Sequence, residues 1–259
     1  MVAVITGTSS GIGLATARYL TAKGVKVYGL SRTIVAGEEF ESISCDVTNH
    51  TAMKTTLQQI AEKEGRIDVL VNNAGIGISG ATEHNSDEEI QRIFDVNIMA
   101  VINTCKTVAE IMRNQGGGRI INIGSVAGVI PIPFQTCYST TKSAVQMFSL
   151  AFGLEVEEFG IRVSCVLPGD TKTGFTDNRV KSETETGYAD RVQRSVARME
   201  RDERAGKSPV SVSEVVWKLI KSKHPAKTKT VGLSYKLIVF LQKILPQRLM
   251  LWVVKKMYG

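Results

Sequence analysis

The sequence lacks several residue patterns, and each absence argues against a class of protein. Its four cysteines (Cys45, Cys105, Cys137 and Cys165) form no CxxC pair, which predicts reduced thiols in a cytosolic setting rather than a disulfide framework. The three histidines show no metal-ligand spacing, so no catalytic metal is expected. No apolar run reaches the ~18 residues of a membrane-spanning helix. Residues 2–6 already have the pattern of a core strand, so no signal peptide is expected.

Acidic residues are absent from the last part of the chain. Glu214 is the final one, and residues 215–259 contain nine Lys and one Arg. Residues 1–214 hold 22 basic and 25 acidic residues, so the net charge of +7 arises from the C-terminal segment. With 259 residues, 43% hydrophobic and 22% charged, the composition is that of a globular protein with a sizeable core.

Apolar strand-like segments alternate with helical segments up to residue 167. Strands are predicted at residues 2–5, 25–30, 42–45, 67–71, 119–123 and 161–167, and helices at 11–23, 49–64, 86–114 and 137–159. This α/β alternation predicts a parallel sheet covered on both faces, in a single domain over residues 1–232. The polar segment 173–207 follows a strand end and is predicted to form a helical substrate lid, with a plain surface helix pair as the alternative.

Glycines connect the first predicted strand to the first predicted helix. Gly7, Gly11 and Gly13 permit a tight turn and a close approach of the backbone to a phosphate. The following helix N-terminus presents N–H groups and partial positive charge to a pyrophosphate. The loop therefore predicts dinucleotide binding, although its GxxxGxG spacing differs from the GxGxxG of other dinucleotide folds.

The end of the second strand bears on the choice of cofactor. NAD enzymes of this architecture usually place an acidic residue there, whereas this chain has Leu30-Ser31-Arg32-Thr33. Arg32 suits a 2′-phosphate and Ser31 adds a hydroxyl donor, so NADP(H) is predicted. The alternative is that Arg32 is a solvated loop residue and that the cofactor is NAD.

A tyrosine, a lysine and a serine have the spacing of a proton-transfer site. Tyr138 and Lys142 lie one helical turn apart, and Ser125 ends the strand upstream. An ammonium beside a phenol lowers its pKa, so Lys142 is expected to bring Tyr138 towards the working range. Ser125 would stabilise the developing oxyanion, and Asn97, inside a helix, would bind a water connected to Lys142. Each signal alone arises by chance, and only their joint occurrence after a nucleotide loop predicts catalysis.

Together these motifs closely resemble the short-chain dehydrogenase/reductase family over residues 2–232. The resemblance implies a doubly wound Rossmann-type domain with a seven-stranded parallel sheet, commonly in a homodimer or homotetramer, and a catalytic tetrad of Asn97, Ser125, Tyr138 and Lys142. The implied cofactor-binding residues are Gly7, Ser9, Ser10, Gly11, Ile12, Gly13, Ser31, Arg32, Asp46, Val47, Asn73, Ala74, Gly75, Tyr138, Lys142, Pro168, Gly169, Thr171 and Thr173. Within the family, residues 28–32, the charged lid and the C-terminal extension resemble the branch of 17β-hydroxysteroid dehydrogenases and acyl-dihydroxyacetone-phosphate reductases.

The basic extension, residues 233–259, has an amphipathic pattern. Leu237, Phe240, Leu241, Ile244 and Leu245 share one predicted helical face. Apolar residues flanked by Lys, Arg, Trp and Tyr suit a membrane interface, and they suit equally a cap on the substrate site or a subunit contact. Nucleic-acid binding is not expected, because no basic groove with aromatic residues is apparent.

The sequence therefore predicts an NADP(H)-dependent oxidoreductase that interconverts a ketone and a secondary alcohol on a hydrophobic, steroid- or lipid-like substrate. One alternative is a 3-oxoacyl-carrier-protein reductase. An alternative of another class is a non-catalytic NADP(H)-binding sensor or scaffold. A cytoplasmic location is expected, with membrane association left open.

Overall fold

The computed structural model describes residues 1–182 and 187–258. Its strands are β1 (Val2–Thr6), β2 (Lys26–Ser31), β3 (Glu41–Ser44), β4 (Val69–Asn72), β5 (Ile78–Ser79), β6 (Gly118–Ile123), β7 (Ile161–Leu167), β8 (Val180–Lys181) and β9 (Thr228–Thr230). Seven of them form a parallel sheet in the order β3-β2-β1-β4-β6-β7-β9, which confirms the predicted architecture. The pair β5–β8 forms a separate parallel sheet.

Helices cover both faces of the large sheet. They are α1 (Gly11–Ala22), α2 (His50–Glu64), α3 (Asp87–Phe94), α4 (Ala100–Asn114), α5 (Thr136–Glu155), α6 (Ala189–Arg204), α7 (Val210–Lys221), α8 (Leu233–Ile244) and α9 (Gln247–Tyr258). None of the described helices is long and apolar enough to cross a membrane.

Successive residues of the central strands enter two different cores. In β1, Val2 and Val4 pack on the side of α2, α4 and α5, whereas Ala3 and Ile5 pack on the side of α1 and α7. This period of two explains why the strand is apolar throughout. Fully burying an Ile side chain stabilises the fold by about 1.5–3 kcal/mol. All four cysteines are free and buried in these surroundings.

The predicted helix at residues 86–114 is interrupted. It begins with a capping box: the Ser86 hydroxyl accepts a hydrogen bond from the Glu89 backbone N–H, and the Glu89 carboxylate accepts one from the Ser86 backbone N–H. A π-helical segment, Asp95–Met99, then separates α3 from α4. The prediction of one continuous helix was therefore wrong at this point, because the apolar periodicity continues through the bulge.

The sheet order reverses between β1 and β4. Loops leaving the carboxyl ends of these two strands diverge to opposite sides, which opens a crevice at that edge. The amide of Asn73 joins the two loops by donating to the carbonyls of Thr6 and Gly7, at 3.0 and 3.1 Å. The fold thus brings the glycine loop beside the segment that follows β4.

The C-terminal extension forms two helices that return to this crevice. Pro246 separates α8 from α9, as its missing N–H favours a helix start there. The α9 helix packs on α6, and the Arg198 guanidinium lies 6.0 Å from the centre of the Tyr258 ring. The extension is therefore folded onto the body of the protein.

Candidate active site

One cavity of about 1360 Å³ runs along the carboxyl edge of the sheet. It is lined by all the predicted site residues except Gly13 and Asn97. One end lies between the glycine loop and Arg32, and the other lies beneath α8 and α9. The structure thus gathers residues from six strand ends into one elongated site.

The glycine loop has the close contacts that a phosphate cradle requires. Gly7 and Gly11 have φ of +72° and +57°, which side-chain-bearing residues rarely adopt. A Cβ on Gly13 would lie 2.1 Å from the Gly7 carbonyl oxygen, so Gly13 shapes the loop from behind rather than lining the cavity. Ser10 precedes α1 without a side-chain capping bond, and no acidic residue lies in the first turn. These features fit a dinucleotide pyrophosphate at the α1 N-terminus.

The end of the cavity near Arg32 contains the residues predicted to determine whether NAD or NADP binds. Arg32 is exposed at the rim of the cavity. The Ser31 hydroxyl donates to the Thr33 carbonyl at 2.6 Å, and its role as a donor to a phosphate stays a prediction. The Asp46 carboxylate accepts from the Thr48 backbone at 2.9 Å, and this bond lowers the pKa of Asp46. Asp46 is therefore ionised where an adenine amino group would meet it.

Ser125, Tyr138 and Lys142 meet at the middle of the cavity. The Lys142 ammonium donates to the Ile123 carbonyl at 3.0 Å and lies 5.8 Å from the centre of the Tyr138 ring. Burial lowers the pKa of Lys142 to about 8. Burial also raises the pKa of Tyr138 to about 12, and a hydrogen bond with Ser125 offsets this in part. The pKa of Tyr138 therefore does not fall to the expected working range, because burial outweighs the interactions that favour the phenolate.

Asn97 lies behind the cavity. Its side chain accepts from the Ile76 N–H at 2.9 Å and donates to the Ile76 carbonyl at 3.0 Å. The amide also donates to the Thr141 hydroxyl at 3.1 Å. The helix is π-helical around Asn97, and the side-chain amide holds the loop after β4. The water link from Asn97 to Lys142 stays a prediction. Asn97 thus positions that loop against α5.

The far end of the cavity is apolar, and much of its wall comes from the C-terminal extension. A Cβ on Gly169 would lie 2.3 Å from the Tyr235 ring, so only glycine lets α8 approach this closely. The Phe175 ring stands 5.5 Å from the Tyr138 ring. We call this end the chamber; the extension's residues that line it are Tyr235, Ile238, Leu241, Leu245, Met250, Val253, Val254, Met257 and Tyr258.

Two carboxylates also line the cavity, those of Glu203 and Asp170. Glu203, from α6, is bonded by the Thr176 hydroxyl at 2.7 Å and paired with the buried Arg179. Asp170, directly after Gly169, accepts a hydrogen bond from the Tyr235 hydroxyl. The sequence argument missed Asp170, although its place beside Pro168-Gly169 was a usable signal.

The predicted lid is only partly a helix. Residues 173–182 contain β8, which the polar composition did not indicate, and α6 follows beside the cavity. Residues 183–186, within the predicted lid, lie outside the described residues. The described part of the segment contributes Phe175 and Glu203 to the cavity wall.

The site and the fold define a class of protein. A dinucleotide cradle leads to a half-buried tyrosine and serine beside a buried lysine, which suits hydride and proton exchange at a carbonyl. The chain belongs to the short-chain dehydrogenase family, whose model, described as short chain dehydrogenase, matches residues 1–184. It is therefore an NAD(P)-dependent oxidoreductase.

Individual proteins resemble the chain over most of its length. It is 40% identical to the 3-ketodihydrosphingosine reductase of Bacteroides thetaiotaomicron over 262 aligned residues, which cover 99% of this chain and 97% of that protein. It is 38% identical to a 3-oxoacyl-[acyl-carrier-protein] reductase of Synechocystis over 189 residues, 68% of this chain and 76% of that protein.

Solved structures share the fold. A short-chain dehydrogenase from Streptomyces avermitilis has a TM-score of 0.84 at 26% identity, covering 98% of this chain and 96% of that chain. A relative from Burkholderia phymatum in complex with NAD has a TM-score of 0.81 at 25% identity, covering 93% and 92%. A serine dehydrogenase complexed with NADP+ has a TM-score of 0.77 at 26% identity, covering 89% and 94%. Both nicotinamide cofactors thus occur among similar structures.

Proposed function

We propose that this protein is an NADPH-dependent reductase of a ketone on a long-chain lipid. The supporting observation is the junction of the Ser125–Tyr138–Lys142 group with the apolar chamber under α8 and α9. In this assignment residues 1–232 carry cofactor and chemistry, residues 173–207 cover the substrate, and residues 233–259 complete the chamber. The resemblance to the Bacteroides thetaiotaomicron protein supports a 3-ketodihydrosphingosine-type substrate.

The chain's own groups supply binding and proton transfer. The bound nicotinamide supplies the hydride. The glycine loop and the α1 N-terminus hold the pyrophosphate, and Arg32 holds the 2′-phosphate. Ser125 and Tyr138 orient the substrate oxygen by hydrogen bonds, and Tyr138 gives that oxygen its proton. The high pKa of Tyr138 keeps it protonated at neutral pH, which suits the direction of reduction. Lys142 places a positive charge beside the ring to stabilise the phenolate that results.

The experiment is loss of reduced-nicotinamide absorbance with NADPH and a panel of carbonyl compounds. We expect turnover of long-chain 3-keto bases and little turnover of small ketones. Confinement to 3-oxoacyl thioesters would indicate an acyl-carrier-protein reductase, and confinement to steroid ketones would contradict the lipid assignment. NADPH binding without any turnover would favour the sensor or scaffold.

One substitution tests the mechanism. Tyr138→Phe should leave NADPH affinity unchanged and lower kcat about 100-fold or more, because general acid catalysis contributes at least that much. Tyr19→Phe, at a position of α1 that does not line the cavity, is the matched control and should behave as the parent enzyme. Undiminished turnover by Tyr138→Phe would contradict the proposed role.

The extension also presents an apolar stripe to the outside. Leu237, Phe240 and Ile244 are 58%, 57% and 59% exposed, and Leu233 begins the same stripe one turn earlier. Trp252 on α9 is exposed as well. Residues 233–258 contain four Lys, one Arg and no acidic residue. Because an apolar stripe edged by cations complements anionic lipid, we infer peripheral contact of α8 and α9 with an anionic membrane surface.

Another exposed apolar surface lies on α5, away from the extension. Met147 and Leu154 are largely exposed there. Short-chain dehydrogenases commonly form oligomers, and we propose that this surface pairs copies of the chain in a homodimer or homotetramer. Sedimentation of the purified protein would test the assembly, and a monomer at micromolar concentration would contradict it.

A further inference from the structure

Asp170 is a half-buried carboxylate in the wall of the cavity, and its hydrogen-bond partner Tyr235 lines the chamber. It follows Gly169 at the end of β7, and its backbone is fixed by Lys207, whose N–H donates to the Asp170 carbonyl at 3.1 Å. Glu203 and Arg179 act electrostatically on both Asp170 and Tyr138. Asp170 and Tyr138 are therefore both close enough to this ion pair to be affected by its charges.

The charge of Asp170 is not balanced by the residues around it. The Tyr235 hydroxyl donates one neutral hydrogen bond to it, and no described Lys, Arg or His forms an ion pair with it. Arg179 is already paired with Glu203. The residues outside the described ranges, 183–186 and 259, include no Lys, Arg or His. A carboxylate that is partly removed from water is stabilised by a nearby cation, so the carboxylate of Asp170 favours a cationic ligand.

The surroundings of the carboxylate define the ligand further. Beyond it, the chamber wall is formed by aliphatic side chains such as Ile238, Leu241 and Val253. The α8 helix that supplies part of this wall has 12 residues and is about 18 Å long. A ligand filling both parts carries a cationic head near the reacting carbonyl and an alkyl chain along α8.

We propose that Asp170 is a specificity-determining residue that binds the ammonium group of a long-chain amino ketone. This inference rests on the proposed ketone reduction. Burial raises the pKa of Asp170, and an ammonium held against the carboxylate favours its ionised form. Tyr235 positions the carboxylate by its hydrogen bond.

Paired substrates and one isosteric variant test this role. The two substrates are a long-chain 2-amino-3-ketone and its N-acetyl derivative, which keeps the ketone and the chain but has no charge. The parent enzyme should prefer the free amine at least tenfold in kcat/KM. Asp170→Asn should raise KM for the free amine about 10- to 100-fold, leave its kcat within about threefold, and leave the N-acetyl substrate nearly unchanged.

The controls separate recognition from structural effects. Asp202 carries a negative charge that acts on Asp170, but it does not line the cavity. The Asp202→Asn variant should therefore keep the preference for the free amine. NADPH affinity and melting temperature should be alike in parent and Asp170→Asn, whereas Asp170→Glu should restore part of the preference. Equal preference in parent and Asp170→Asn would overturn the proposal.

A binding measurement makes the test independent of turnover and of the variant's folding. Calorimetric titration of the NADPH-loaded parent enzyme with decylamine and decanol should show at least tenfold tighter binding of the amine. Equal binding would overturn the ammonium site even if a ketone is reduced. Amine-selective binding without reduction of any ketone would support the site and contradict the proposed function.

Discussion

At the residue scale, Arg32 determines the predicted choice between the two nicotinamide cofactors. Its guanidinium lies at the rim where a 2′-phosphate would reach, and no acidic residue accompanies it on residues 30–33. Arg32→Glu should weaken NADPH binding about 10- to 100-fold and strengthen NADH binding, because a carboxylate repels the phosphate and accepts from a ribose hydroxyl. Fluorescence titration with both cofactors measures the two affinities.

The matched control for this prediction is Arg201→Glu. Arg201 is an exposed arginine on α6 outside the cavity, so the same charge change there should leave both affinities unaltered. A preference for NADPH that survives Arg32→Glu would contradict the assignment of the cofactor to this residue.

Single residues also show where sequence reasoning succeeds. The structure brings Tyr138, Lys142 and Ser125 together in one cavity, and this proximity could be predicted because it depends on spacing along one helix and on the end of one strand. The raised pKa of Tyr138 could not, since it depends on burial by segments distant in sequence, such as Phe175. Asp170 was missed for the same reason: its environment includes Tyr235, 65 residues away.

At the scale of elements, the apolar residues of α8 are divided between two surfaces, the chamber wall and the solvent-exposed side. The sequence placed Leu237, Phe240, Leu241, Ile244 and Leu245 on one face, as the 3.6-residue repeat requires. In the structure Leu241 and Leu245 line the chamber, whereas the other three are exposed. A broad apolar face is visible in the sequence, but how the fold divides it between cavity and solvent depends on tertiary packing.

The exposed stripe of α8 predicts membrane binding that can be removed by substitution. The parent enzyme should co-sediment with vesicles containing phosphatidylserine and bind less to pure phosphatidylcholine, with the difference reduced by salt. Leu237→Glu combined with Phe240→Glu should reduce binding to the anionic vesicles tenfold or more, since charged side chains then replace the inserted apolar ones.

The controls for the vesicle experiment are a distant substitution and the reaction itself. Val210→Glu, at an exposed apolar position where α7 begins, should bind vesicles as the parent does. Turnover of a short-chain ketone by the double variant would show that its active site is still folded. Equal pelleting of parent and double variant would argue against the membrane contact.

At the scale of the whole molecule, the site exists because the parallel sheet brings strand ends together. Residues at the ends of β1, β2, β3, β4, β6 and β7 reach one edge, and the alternation of apolar segments was enough to predict this. The short β5–β8 pair was not predictable, because two-residue strands carry no periodicity. At Asn97 the sequence shows a polar residue within an apolar stretch, but the hydrogen bond of its side chain to the loop after β4 could not be predicted.

At the same scale, burying the ammonium group of Lys142 lowers the free energy of unfolding. Burial lowers the pKa of Lys142 to about 8, while an unfolded lysine titrates near 10.4. Below pH 8 Lys142 is protonated in both the folded and the unfolded protein, so the folded protein is destabilised by the buried positive charge. Between about pH 8 and 10.4 the unfolded chain binds more protons than the folded one, so stability rises with pH in that window.

Lys142→Met should therefore stabilise the cofactor-free protein at pH 7 by about 1–2 kcal/mol. The shift in pKa alone corresponds to about 3 kcal/mol at 1.36 kcal/mol per unit, and losing the hydrogen bond to the Ile123 carbonyl offsets about 1 kcal/mol of it. Urea unfolding at pH 7 and 9.5 should show that Lys142→Met gains less stability over the parent at the higher pH. The control is Lys106→Met, at an exposed position of α4, which should change the free energy of unfolding by less than about 0.5 kcal/mol at both pH values. A Lys142→Met protein that is less stable than its parent at pH 7, or whose advantage does not depend on pH, would contradict a buried, charged Lys142.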